Sequence, residues 1–172
     1  DKVIGTGEIA ISDPRWIDPL LDPLAHIVVQ TVTGGKMAGK AGVVHFHTGP
    51  GKRRLGLLHE LLDGYDVPPE AIYPTHINRT EALVDDAITL ARRGCFVDMD
   101  TVEEDAVERL PYYLAGGGPA DRITLSSDAH TPGGSMRKLF GQLAACVREA
   151  GLPLETVLAC CTSNPAAALT EA

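Results

Sequence analysis

Aromatic residues are scarce in this 172-residue chain, at 5%. One Trp, four Tyr and three Phe cannot build an aromatic core, so burial must rest on Ala, Val, Leu and Ile within an apolar fraction of 44%. Basic charge is also in short supply, with 15 Lys and Arg against 23 Asp and Glu. The net charge of −8 argues against nucleic acid or an anionic membrane surface as partner. No apolar run approaches the roughly 18 residues of a spanning helix. The opening Asp1-Lys2-Val3-Ile4-Gly5 lacks both an initiator Met and a signal-peptide layout. The expectation is a chain that begins inside a larger protein.

No Cys-x-x-Cys pair occurs among Cys95, Cys146, Cys160 and Cys161. A disulfide framework or a zinc knuckle is therefore not expected. The pattern predicts reduced, mostly buried thiols in a cytoplasmic protein, none of them a nucleophile.

What the sequence does contain is alternation. Apolar runs at Val3–Ser12, Ala41–Thr48, Ala71–Ile77, Cys95–Met99 and Arg122–Ser127 have strand length, and most are rich in β-branched residues. Helical patterns lie between and after them, at Leu21–Thr33, Lys52–Leu62, Thr80–Arg93, Glu103–Ala115, Ser135–Ala150, Leu154–Cys161 and Pro165–Thr170. Gly34-Gly35, Gly64 and Gly94 stand where left-handed caps would close the first three. Strand–helix repetition with short connections predicts an α/β fold of parallel strands and right-handed crossovers. Both a doubly wound sheet and a TIM-type barrel satisfy that pattern.

Polar residues choose between them. Glu8, His47, His76, Asp98 or Asp100, and Asp128 fall at the ends of successive strands, the arrangement of a barrel's active face. Five strands cannot close an eight-stranded barrel, so about three strand–helix units should precede these residues. Glu8, His47, His76 and Asp128 offer the carboxylate oxygens and imidazole nitrogens that zinc takes at catalytic sites. His45 and His47 share a strand face, and strand-end placement favours His47 as the ligand, with His45 deeper in the barrel.

The segments Gly7–Arg15, Val44–Gly49, Pro74–Arg79 and Leu125–His130, together with Asp66-Val67-Pro68, resemble isoaspartyl dipeptidase of the amidohydrolase superfamily. The likeness runs from about Val3 to Leu169, and Thr162-Ser163-Asn164-Pro165-Ala166 looks like the general superfamily ending. The resemblance implies that residues 1–172 are the C-terminal portion of a (β/α)8 barrel domain, strands four to eight. It implies hydrolysis of β-aspartyl dipeptides by a metal-activated hydroxide at a binuclear zinc site. His47 and His76 match ligands of one metal. Asp128 matches the ligand that shuttles the proton. Glu8 falls where many relatives carry a bridging carboxylated lysine. Arg15 and Arg79 match the arginines that hold the substrate carboxylate, a task suited to their bidentate forks.

The partners implied are a small dipeptide and further copies of the full-length chain. Neither nucleic acid nor a membrane is among them. Two departures stand out. Ala129-His130-Thr131-Pro132 replaces a Gly-Asn-Gly-Ser-like turn, and the superfamily's first-strand His-x-His pair and accessory β-sandwich are absent. The rival readings are an amidohydrolase acting on a cyclic amide, as dihydroorotases and hydantoinases do, and a truncated chain without activity.

Overall fold

Alternation of side-chain chemistry along the second to fifth strands organises this molecule. The computed structural model describes residues 3–103 and 105–170. Five strands occur in it: β1 Gly5–Ile11, β2 Val43–Thr48, β3 Ile72–Thr75, β4 Val97–Asp100 and β5 Ile123–Ser126. Val44, Phe46, Ile72, Val97, Met99, Ile123 and Leu125 all enter one hydrophobic cluster. Their alternates His45, His47, Tyr73, Thr75, Asp98, Asp100, Thr124 and Ser126 stand on the opposite strand faces, because successive Cβ atoms point to opposite sides. One face of the sheet is thus apolar and the other carries the chemistry.

All pairings are parallel. β1, β2 and β3 form one sheet and β4 and β5 a second. The main-chain bond from Phe96 N–H to Ile72 O (3.2 Å) sets β4 beside β3, so the strands follow sequence order. The connecting helices are α1 Leu21–Ala38, α2 Gly56–Gly64, α3 Glu81–Arg92 and α4 Ala106–Ala115; α5 Met136–Arg148, α6 Leu154–Ala159 and α7 Ser163–Ala168 follow β5. Their buried faces, such as Leu24, Val28 and Val32 of α1 or Leu83, Ala87 and Leu90 of α3, join the same cluster as the apolar strand face. Each fully buried Leu or Val contributes roughly 1.5–3 kcal/mol. Thr80 and Ser135 cap α3 and α5 by accepting from the N–H groups of Leu83 and Lys138, each bond 3.2 Å long.

Helix ends follow the sequence expectation in part. Gly94 takes φ 107° after α3, and Gly151 takes φ 68° after α5. Gly34-Gly35 does not stop α1, which runs on to Ala38 and is capped by Gly39 at φ 61°. The reason is packing. A Cβ on Gly35 would sit 2.5 Å from the Cα of Gly42, so glycine there permits helix and strand entry to touch. Gly64 is likewise not a left-handed cap; it is the last residue of α2, and Tyr65 follows in extended conformation. α2 also begins at Gly56 rather than Lys52, after a turn in which Arg54 adopts φ 49°. The helix expected from Glu103 begins at Ala106; residue 104 lies outside the described residues, as do 1–2 and 171–172.

The cysteines are free, three of them buried. Burial pushes the Cys95 and Cys160 thiols up to about 12, and that of Cys146 up to about 11, which keeps them protonated and unreactive. The edge of β5 is covered by its own chain, since Leu125 N–H donates to Cys160 O (2.9 Å) and Asn164 Nδ2 donates to Ile123 O (2.7 Å). Among the described residues, no helix is long and apolar enough to cross a membrane.

Candidate active site

The site begins with an irregularity in β1. Thr6 pairs with Val44, but Ile9 pairs with Phe46, so one extra residue is inserted around Gly7-Glu8. Such a bulge re-aims a side chain. Gly7 lets the strand close on its neighbour, because a Cβ there would meet the Cβ of His45 at 2.7 Å. Glu8 then stands between two imidazoles, with Oε1 3.4 Å from His45 Nδ1 and Oε2 3.5 Å from His47 Nδ1.

The third group arrives from β3. His76 follows that strand in a left-handed conformation, φ 63°, that a non-glycine residue adopts only when its surroundings hold it there. Its Nδ1–H donates to Asp100 Oδ2 at 2.7 Å, with both side chains almost fully buried. The ring meets that of His47 edge to face, centroids 4.5 Å apart. Ligand-capable atoms of Glu8, His47 and His76 consequently lie within 4.8 Å of one another. Zinc ligands at about 2.1 Å in a tetrahedron stand roughly 3.4 Å apart, so the Glu8–His47 separation already suits a shared ion. Burial, then the nearby His76 and Arg79, lower the pKa of His47 against the pull of Glu8 and Asp13. The neutral imidazole this favours is the form that binds metal.

Asp128 follows β5, also with positive φ (42°). It lines a cavity of about 300 Å³ together with Glu8, His45, His76, Asp98 and His130. Its Oδ1 lies 3.2 Å from His130 Nδ1, and it is not a member of the three-residue cluster. His45 reaches the same cavity and packs edge to face on Tyr73 at 5.2 Å.

Of the arginines, Arg79 leans over the cluster. Its Nη1 donates to Thr48 O at 2.7 Å and lies 3.4 Å from His47 Nε2. Arg15 is held by Asp13 through bonds of 3.0 Å from Nε to Oδ1 and 2.6 Å from Nη2 to Oδ2. These bonds outweigh burial and hold the Asp13 carboxyl well below the usual carboxylate range. Asp13 Oδ2 in turn lies 3.8 Å from His47 Nε2, which links Arg15 to the cluster at one remove.

Sequence reasoning set Asp98 or Asp100 at a strand end on the active face but gave neither of them, nor Asp13, a specific role. Asp98, in the cavity wall, accepts from the hydroxyls of Thr75 (2.6 Å), Thr124 (2.6 Å) and Ser126 (2.7 Å). Burial still raises its pKa against those bonds. Burial pushes Asp100 up too, but the bonds from His76 and Val102 N–H outweigh it and leave its carboxyl lowered. The signal available was the Asp98-x-Asp100 spacing, which puts both carboxylates on the strand face that bears His47 and Thr75.

No protein-family model matches the chain. Among solved structures, it superimposes on a β-aspartyl dipeptidase from the thermophilic, keratin-degrading Fervidobacterium islandicum AW-1 with TM-score 0.90 and 36% identity, over 98% of this chain and 47% of that one. A β-aspartyl dipeptidase from the same organism, in complex with the dipeptide β-Asp-Leu, matches with TM-score 0.89 and 33% identity, over 98% and 48%. The chain thus spans about half the length of the solved relatives it matches. Over nearly its whole length, in sequence and in backbone, this is an isoaspartyl dipeptidase-like chain.

Proposed function

We propose that these residues are the C-terminal portion, strands four to eight, of a (β/α)8 amidohydrolase barrel, and that the whole protein hydrolyses β-aspartyl dipeptides with zinc. The observation that carries the reading is the convergence of Glu8, which projects from the bulge within β1 rather than from a strand end, with His47 and His76 from the ends of β2 and β3. Sequence-ordered parallel strands with one apolar face support the barrel. Right-handed crossovers between strands in that order place every helix on one side. A doubly wound sheet needs apolar residues on both faces, and the second face here holds His45, Asp98 and Thr124.

Glu8, His47 and His76 would hold the metal, and Asp128 lines the same cavity as Glu8 and His76. A bound zinc supplies Lewis acidity, which acidifies water and polarises a carbonyl oxygen. Asp128 takes the proton of the attacking water and returns it to the leaving amine as the amide C–N bond breaks. Arg79 orients the substrate carboxylate, and Arg15 supports it from the Asp13 side. A cytoplasmic location is supported by the free, buried thiols.

The test is a side-by-side assay of the complete zinc-loaded protein on β-Asp-Leu and on cyclic amides. Hydrolysis of the dipeptide with little action on the rings is expected. Ring opening without dipeptide cleavage would overturn the substrate assignment. Failure to bind zinc at all would overturn the site.

A further inference from the structure

His76 occupies a backbone conformation that costs on the order of 1–3 kcal/mol for a non-glycine residue, so something must hold it. Two bonds from the end of β4 do so. Asp100 Oδ2 accepts from His76 Nδ1 at 2.7 Å, and Asp100 O accepts from Asn78 Nδ2 at 3.1 Å. Asn78 Nδ2 is further engaged by Asp105 Oδ1 at 2.7 Å. The turn 76–78 is thereby latched to β4 on both sides of Ile77, in a region where His76, Asn78 and Asp100 are all buried.

Asp100 has a second partner that limits what it can do. Its Oδ1 accepts from the N–H of Val102 at 2.9 Å. With that oxygen committed, Oδ2 is the atom presented to His76. A carboxylate oxygen can only accept, so Nδ1 must carry the hydrogen and the lone pair of the neutral ring is forced onto Nε2.

We propose that Asp100 is a positioning residue for the metal site: it fixes the tautomer and ring direction of His76 so that Nε2 is open to a cation. The inference rests on the proposed zinc site but concerns a residue outside the ligand set. Ligating imidazoles are commonly oriented in this manner, and loss of such a partner costs about 10–100-fold in metal affinity.

Asp100→Asn is the discriminating variant. The amide oxygen keeps the Val102 bond, so its NH2 faces His76 and must donate to Nδ1. That inverts the tautomer and puts the hydrogen on the ligand nitrogen. In the full chain, competition with a chromogenic chelator should show Zn2+ binding weakened by about 10–100-fold. Circular dichroism of the metal-free protein should be unchanged. Nitrogen-15 shifts of the metal-free protein should report Nδ1–H in the wild type and Nε2–H in the variant, and Asp100→Glu should restore part of the affinity.

Unchanged zinc affinity in Asp100→Asn, or an Nε2–H tautomer in the wild type, would overturn the proposal. The tautomer measurement needs no metal. It therefore still decides the role of Asp100 if the wild type fails to bind zinc, a result that counts against the proposed function instead. It also decides the matter from the wild type alone if the variant does not fold.

Discussion

His47 and His76 meet edge to face at 4.5 Å although they leave different strands, and Glu8 lies 3.5 Å from the first of them. With their ligand-capable atoms within 4.8 Å of one another, the three residues offer a single site. Each single replacement, Glu8→Gln, His47→Ala or His76→Ala, should therefore weaken Zn2+ binding by more than the roughly 10–100-fold that loss of an outer partner costs. Titration calorimetry checks this. A variant that binds zinc like the wild type removes its residue from the ligand set.

Arg79 is expected to act on substrate rather than on metal. Replacing it with Met in the complete protein should raise KM for a β-aspartyl dipeptide, with a loss of about 2–5 kcal/mol for a charge-assisted contact to a buried carboxylate. Metal content should stay near normal. Because Arg79 also donates to Thr48 O, metal analysis belongs beside the kinetics. Zinc loss in the variant would show that Arg79 supports the site instead.

Asp98 should make the protein less stable as pH rises. Burial raises its folded-state pKa above the model-peptide value of 3.8, so the folded state keeps the proton to higher pH than the unfolded chain does. The stabilisation is fully present below 3.8 and is lost as pH climbs through the raised value. Asp98→Asn removes that dependence. Its Tm relative to wild type should be more favourable at about pH 8 than at about pH 3, below the unfolded value, by scanning calorimetry. A difference that stays flat or runs the other way refutes an elevated Asp98.

His59 gives the opposite slope. Burial first, and then Arg93, lower its pKa below 6.5. The unfolded chain then binds the proton more readily, so stability present above 6.5 falls as pH drops toward the folded value. His59→Gln should flatten the urea-midpoint profile between about pH 7 and pH 5. Equal slopes in the two proteins would show that His59 is not a source of the acid sensitivity.

Much of this architecture could be read from residue order. All five strands lie within or within one residue of their apolar runs, because β-branched residues at strand length carry that signal without help from tertiary contacts. His47 and His76 could be singled out because ionisable residues closing apolar runs conflict with burial, whereas Glu8, expected at a strand end, sits at the bulge within β1. Asp98 and Asp100 could not be given roles, since their meaning depends on Thr75, Ser126 and His76 from other strands. The glycine errors have a similar origin. A glycine kept for a left-handed turn and one kept for close approach, as Gly35 is to Gly42, look identical in one dimension. Nor could residue order show that the face opposite the helices carries a hydroxyl–carboxylate network of Tyr73, Thr124, Asp98, Thr75 and Ser126, since its bonds all run between strands.

The two-faced strands restrict which length changes the gene can tolerate. Chemistry and core occupy alternating positions of the same short segments, so inserting or deleting one residue within β2, β3 or β4 would exchange them wholesale. His47 would turn toward the helices and Phe46 toward the cavity. The helix-to-strand connections at the opposite end of the sheet are under no such parity rule, and length variation among descendants of this chain should accumulate there.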